Sequence, residues 1–218
     1  MLADLHCHTI FSLDTCSSLS MILQFCRKKG IECLAVTDHN VIEGALRLKE
    51  MNSVKVIVGE EVATTEGEII GLFLKTRILP NQTPEETITA IREQGGLVYL
   101  PHPFAGLSRR KRWSLERLAE IVHKVDIVEV FNARNLREEY NAEARRFAYE
   151  HGLPAGAGSD AHTPWEIGSV MVEMDDFETP QEFIQHLKQA KITGRRSSKM
   201  LRAVFNCYTR KLLRRVIK

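Results

Sequence analysis

The stretch TPEETITAIREQGGLVYLPHPF, residues 83–104, decides the fold class. Thr83 reads as a helix cap, Pro84 fits the first turn, and Glu86 completes a capping box; Gly95 or Gly96 then stops the helix. GLVYLP at 96–101 follows as a short buried strand, and His102 stands at its end, pinned between Pro101 and Pro103. Helix, strand, then a polar residue at the strand's end is the repeating unit of a layered α/β protein.

Outward from this stretch the unit recurs. Strand candidates lie at residues 2–6, 33–38, 54–62, 68–74, 126–132, 154–160 and 169–174, and helical periodicity runs through about 18–29, 41–51, 115–124 and 137–151. Thr179, Pro180 and Glu182 repeat the capping grammar. Strands separated by helices predict parallel pairing, hence an α/β sheet or barrel and not a β-sandwich.

Composition narrows the class. A chain of 218 residues with 44% hydrophobic and 27% charged residues fits one large domain with an ordinary core. A net charge of +2 gives no whole-molecule field to attract nucleic acid. Cys7, Cys16, Cys26, Cys33 and Cys207 are odd in number and form no C-x-x-C pair, which argues for a reducing compartment. Asp4 interrupts the first apolar run and no stretch is long enough to span a bilayer, so a cytoplasmic protein is expected. The main domain is expected over 1–194. Residues 195–218 are rich in Lys and Arg, have no acidic residue and carry apolar residues at helical spacing. They read as a basic amphipathic helix or tail, docked on the body or solvated, in preference to a nucleic-acid or membrane-binding element.

The polar residues at strand ends carry the chemistry. In DLHCHTIFSLD, residues 4–14, His6 and His8 share one strand face while Cys7 points away, and Asp14 follows. Asp38 and His39 close the second strand, Glu60 and Glu61 lie in the third on opposite faces, and Asp160 and His162 follow the seventh. In a parallel barrel the carboxyl ends of the strands gather at one face, so these residues converge. Each has a plainer reading: Asp38 as cap of the next helix, Asp160 as cap of a short helix at TPWEI. His123, His151 and His186 fall on predicted helices and read as structural or exposed. Imidazole and carboxylate without thiolate suit Mn, Fe or Zn, and so many ligands call for two or three ions. Clustered ions of that kind serve hydrolysis.

Together, DLHCHTIFSLD, AVTDHN, VGEEV, PHP and GSDAH resemble the PHP family, the polymerase and histidinol phosphatase superfamily of metal-dependent phosphoesterases. EVFNARN and GLPAGAGSDAHTPWEIGSVMVEM look like the small stand-alone members with a PHP-associated C-terminal segment, here about 125–175. The resemblance implies a distorted (β/α)7 TIM-like barrel with up to three ions at the C-terminal ends of the strands. His6 and His8 would then hold one ion with Glu61 and Asp160. Glu61, preferred to Glu60 because Gly59 sets the family's frame, would bridge to a second ion bound by His102; Asp14, His39 and His162 would hold a third. Where many members place a histidine, EIIG offers Glu68, a ligand of different charge and reach.

The expected function is hydrolysis of a small phosphomonoester or nucleotide by a metal-bound hydroxide, with no protein nucleophile. Arg109 and Arg110, in SRRKRW at 108–113, and Arg134 are candidates for phosphate contacts, and Asp38 and Asn132 for support of the ligands. Two alternatives stand beside it. One is an exonuclease or oligonucleotide phosphodiesterase gripping its substrate through 109–112 and the tail. The other is a non-catalytic scaffold, against which the intact ligand motifs count.

Overall fold

Seven strands follow one another across one sheet in chain order: β1 (Leu2–Cys7), β2 (Cys33–Val36), β3 (Lys55–Ala63), β4 (Glu68–Leu72), β5 (Leu97–Leu100), β6 (Ile127–Asn132) and β7 (Ala155–Gly158). β8 (Val170–Glu173) and β9 (Lys191–Gly194) extend the sheet beyond β1. The computed structural model describes residues 1–105 and 113–197. Arg109, Arg110 and, of the helix or tail expected over 195–218, residues 198–218 lie outside the described residues.

The sheet curls until its ends meet. Asp160 N donates to His6 O at 2.8 Å and His8 N to Ala161 O at 3.0 Å, joining the end of β1 to the chain just past β7. The result is a nearly closed barrel of mixed strand direction. β1–β2, β2–β3, β5–β6 and β6–β7 pair in parallel, as the alternation of strands and helices predicts. β4 departs from the expected (β/α)7 pattern, pairing antiparallel with both β3 and β5. The β3–β4 link is a tight turn in which Thr64 N donates to Gly67 O, too short for the crossover that parallel pairing needs. β9, read from sequence as no strand, pairs antiparallel with β8.

Helices α1 (Leu19–Lys29), α2 (Glu43–Glu50), α3 (Pro84–Glu93), α4 (Leu115–Ile121), α5 (Glu138–Glu150) and α6 (Pro180–Leu187) start within a residue or two of where the sequence predicts, and α4 gives way to a 3-10 turn at Val122–Lys124 before the expected end at 124. The capping boxes at Thr83–Glu86 and Thr179–Glu182 both form. TPWEI is a turn and not a helix, so Asp160 caps nothing there. Nor does Asp38 cap α2, whose first residue is preceded by Ile42 with no side-chain cap.

Alternate strand residues build two cores. Leu5, Ala35, Ile70, Tyr99, Ile127 and Ala157 fill the barrel, whose far end Phe183 of α6 helps to close against Phe73 and Phe177. Leu34, Val58, Val98 and Val128 face outward against Ile22, Leu48, Ile91 and Ile121 of the helices. Cys7 lies in this outer layer, away from the histidines beside it. With both ends of each strand fixed, the polar residues at the remaining rim are held on a rigid frame. Among the described residues, no helix is long and apolar enough to cross a membrane.

Candidate metal centre

Five histidines and several carboxylates meet at the open rim. His6 Nε2 lies 3.1 Å from His8 Nε2. His8 Nε2 is 3.4 Å from Glu61 Oε2 and 3.3 Å from Asp160 Oδ1, and His102 Nε2 is 2.8 Å from Glu61 Oε1. His162 Nε2 and His39 Nε2 approach Asp14 Oδ2 at 3.1 and 3.6 Å. Three-residue sets with ligand atoms within 4.8 Å of one another are His8–His39–His162, His6–His102–Asp160, His6–His8–Glu61 and His39–Glu61–Glu68. His6, His8, Glu61, Asp160, His102 and His162 are buried; His39, Glu68 and Asp14 line the solvent side.

Each position has a local cause. A register irregularity in β1 between Asp4 and Cys7 lets His6 face inward beside Leu5, and alternation from there turns Cys7 outward and His8 inward. His39 bridges to Glu61, whose N–H donates to Asp38 O at 3.1 Å. His102 and Asp160 have positive φ, 30° and 51°, a region costly for residues with a side chain and found mostly where function holds it. Glu68 opens β4, and because β4 runs against its neighbours, that start lies at the rim where the other strands end. Its Oε2 is 3.9 Å from His102 Nε2.

Behind the rim stand supporting groups. Asp38 accepts from Thr9 N at 2.6 Å, Thr9 Oγ1 at 2.7 Å and Ser12 Oγ at 2.8 Å, and Ser12 Oγ meets His8 Nδ1 at 3.3 Å. Asn132 Nδ2 donates to Asp160 Oδ2 at 3.2 Å. Arg134 is mostly buried beside the centre, with Nη1 3.5 Å from Asp160 O and Nε 3.9 Å from Glu166 Oε1. The sequence reading missed Glu129, Asp4, Ser12 and Glu166. Asp4 is wholly buried and accepts from Ser159 N and Gly168 N, both at 2.9 Å, tethering the chain around Asp160. For Glu129 the signal was present: a carboxylate inside an otherwise apolar strand, two residues on from Ile127 and so facing the barrel.

The charges are strongly coupled. Burial alone would raise the Glu61 carboxyl, but His6, His39 and the His102 hydrogen bond hold it well below the usual range. Burial disfavours the His6 cation, yet Glu129, Asp160 and Glu61 raise it well above an ordinary imidazole. His8 goes the other way, lowered by burial and by neighbouring His162 and His39. Adjacent imidazoles are thus driven apart by their surroundings.

The donor set fits divalent metal. Glu61 Oε2 has His39 Nδ1, His8 Nε2 and His6 Nε2 at 3.0, 3.4 and 3.5 Å, yet none is aligned as a hydrogen bond to it. A buried carboxylate oxygen left so costs about 1–3 kcal/mol or more. Imidazole nitrogens crowding an unsatisfied carboxylate oxygen are arranged as ligands about a shared cation.

Comparison with known proteins agrees with this fold. A family profile described as PHP-associated matches residues 138–192, beginning and ending later than the segment of about 125–175 read from sequence. An uncharacterised protein of Methanocaldococcus jannaschii is 37% identical over 198 residues, covering 86% of this chain and 79% of that one. PsfC of Pseudomonas syringae superposes with a TM-score of 0.70 at 20% identity, covering 97% of this chain and 98% of PsfC. A two-domain protein of Bacteroides vulgatus, described as containing a predicted PHP-like metal-dependent phosphoesterase, superposes with a TM-score of 0.72 at 17% identity over 89% of this chain. This chain spans 65% of its length.

Proposed function

We propose that this chain, which belongs to the PHP superfamily and has its PHP-associated C-terminal segment, is a metal-dependent hydrolase of small phosphomonoesters or nucleotides. The observation that carries the reading is the convergence of three imidazole nitrogens on the unsatisfied Oε2 of Glu61. His6, His8, Glu61 and Asp160 would hold one ion, His102 and Glu68 with Glu61 a second, and Asp14, His39 and His162 a third, the ions being Mn, Fe or Zn. Held by these residues, divalent ions would supply Lewis-acid chemistry for phosphate-ester hydrolysis.

The protein's own part is positioning. Among the described residues, the donors at the rim are imidazole and carboxylate with no thiolate, and Cys7 is turned into the core. Arg134 brings a guanidinium to the edge of the centre, where its planar charge suits a phosphate oxygen or a second anionic group of the substrate. Asp38, through Thr9 and Ser12, fixes the turn that carries His8. Outside residues 109–112 and 195–218, acidic residues outnumber basic ones, which favours a small ester over a polyanion tracked along a groove.

The test is a panel of phosphomonoesters, mononucleotides and short oligonucleotides, assayed with protein freed of metal and reconstituted with Mn, Fe or Zn. Hydrolysis of a small ester, lost on chelation, is expected. Faster cleavage of oligonucleotides, with steep salt dependence, would favour the exonuclease instead. No hydrolysis by fully loaded protein would leave the scaffold.

A further inference from the structure

We propose that Glu129 is the positioning residue of the metal centre: it fixes the proton of His6 on Nδ1, holds the backbone of His102, and through Asn132 aims Asp160. The inference rests on the reading of those three residues as ligands.

Glu129 is wholly buried on β6. Its Oε1 lies 3.0 Å from His6 Nδ1, and its Oε2 accepts from His102 N at 2.8 Å and Asn132 Nδ2 at 2.9 Å. A carboxylate can only accept, so His6 must supply the hydrogen at Nδ1, which leaves the Nε2 lone pair bare toward the rim. His8 reaches the same state by another route. Ser12 Oγ donates to Asp38, so it can only accept from His8 Nδ1, and His8 Nε2 is bare as well. Two bare nitrogens then face each other at 3.1 Å. Without Glu129, one neutral imidazole would simply donate to the other; with it, the two nitrogens meet only around a positive charge, either a metal ion or a second proton on His6.

Two further features point to the same residue. A Cβ at position 158 would fall 2.3 Å from His6 Cβ and 3.0 Å from Glu129 Oε1, so glycine there is a condition of the ring meeting the carboxylate. The hydrogen bond to His102 N supports a residue held at a φ of 30°. Asn132 Nδ2 is shared between Glu129 and Asp160 Oδ2, which carries the same anchor to a third ligand. One carboxylate therefore sets ligands carried by the ends of β1, β5 and β7.

Glu129→Gln is diagnostic because an amide cannot satisfy all three donors. If its oxygen serves His102 and Asn132, its NH2 faces His6 and forces the proton to Nε2; if it is flipped, NH2 faces two donors. The experiment is nitrogen NMR of protein labelled in its histidines, loaded with diamagnetic Zn, together with Zn affinity by chelator competition. Wild type should carry the His6 proton on Nδ1. Folded E129Q should move it and bind Zn roughly 10–100-fold more weakly. A purely structural role would lower the melting temperature and leave the tautomer and the affinity of the folded protein alone. The proposal is overturned by a bare His6 Nδ1 in wild type, which needs no variant, or by wild-type Zn affinity in folded E129Q. If wild type takes up no Zn, the metal reading falls; an Nδ1 proton on His6 that metal-free wild type keeps and folded metal-free E129Q loses still decides for Glu129, and its presence in both decides against.

Discussion

Glu68 and Arg134 stand on the solvent side of the same cluster and should fail in different ways when removed. Glu68 shares a ligand-sized space with His39 and Glu61, so Glu68→Ala should cost one equivalent of metal, read by elemental analysis, and Glu68→His should restore it. An alanine variant with unchanged stoichiometry would place Glu68 outside the coordination set. Arg134→Ala should leave metal content intact and lower kcat/KM about 10–100-fold, chiefly through KM, as loss of a charged hydrogen bond to substrate does. His8→Ala, at the centre, should abolish turnover through loss of metal. The candidate ligands at this scale were legible because most are polar residues where a strand should end, Glu61 and Glu68 excepted. Asp4 and Ser12 were not, because a residue that touches only the supporting shell follows no spacing rule, and Glu129 showed its charge within an apolar strand but not what it touches.

At the scale of elements, the site depends on α2 lying against the turn after β1. Gly44 of α2 is where they touch: a Cβ there would fall 2.2 Å from Asp38 Oδ2 and 2.4 Å from Thr9 Oγ1. Gly44→Ala should therefore destabilise by about 1–3 kcal/mol and also lower metal content, because the displaced Asp38 latch carries Ser12 and His8. Thr83→Ala is the contrasting case. It removes the Thr83 side chain's part in the α3 capping box and should cost about 1 kcal/mol in chemical denaturation with no change in bound metal. Equal metal loss in both variants would mean that the centre responds to general stability and not to the latch. Helix ends were readable because capping is a contact between residues three apart in sequence. The direction of β4 was not, since it follows from the tight Thr64–Gly67 turn and from which neighbours the strand finds.

For the whole molecule, metal binding and folding should be linked. The buried carboxylates and imidazoles are complete only around cations, so saturating metal at a hundredfold excess over Kd should add about 2.7 kcal/mol, several degrees in melting temperature for a domain of this size. Thermal melts with and without chelator measure it, and coincident curves would mean that the rim is satisfied without ions. Past the expected boundary at 194, Arg195 N donates to Ser169 O and Ser197 N to Ala133 O, both at 2.8 Å, tying these residues beside Arg134. Truncation after Ser197 should retain metal and activity on small esters, whereas truncation after Gly194 should weaken substrate binding. Sequence alone determined the strand and helix order, the caps and the identity of the ligand-type residues, because these follow from periodicity and from local hydrogen-bonding groups. Only the tertiary structure decided that β4 runs antiparallel, which brings the first residue of that strand to the rim where the other strands end, and that Glu129 of β6 reaches His6 of β1. Both depend on contacts between residues far apart in the chain, which are fixed when the sheet closes and leave no local pattern to read.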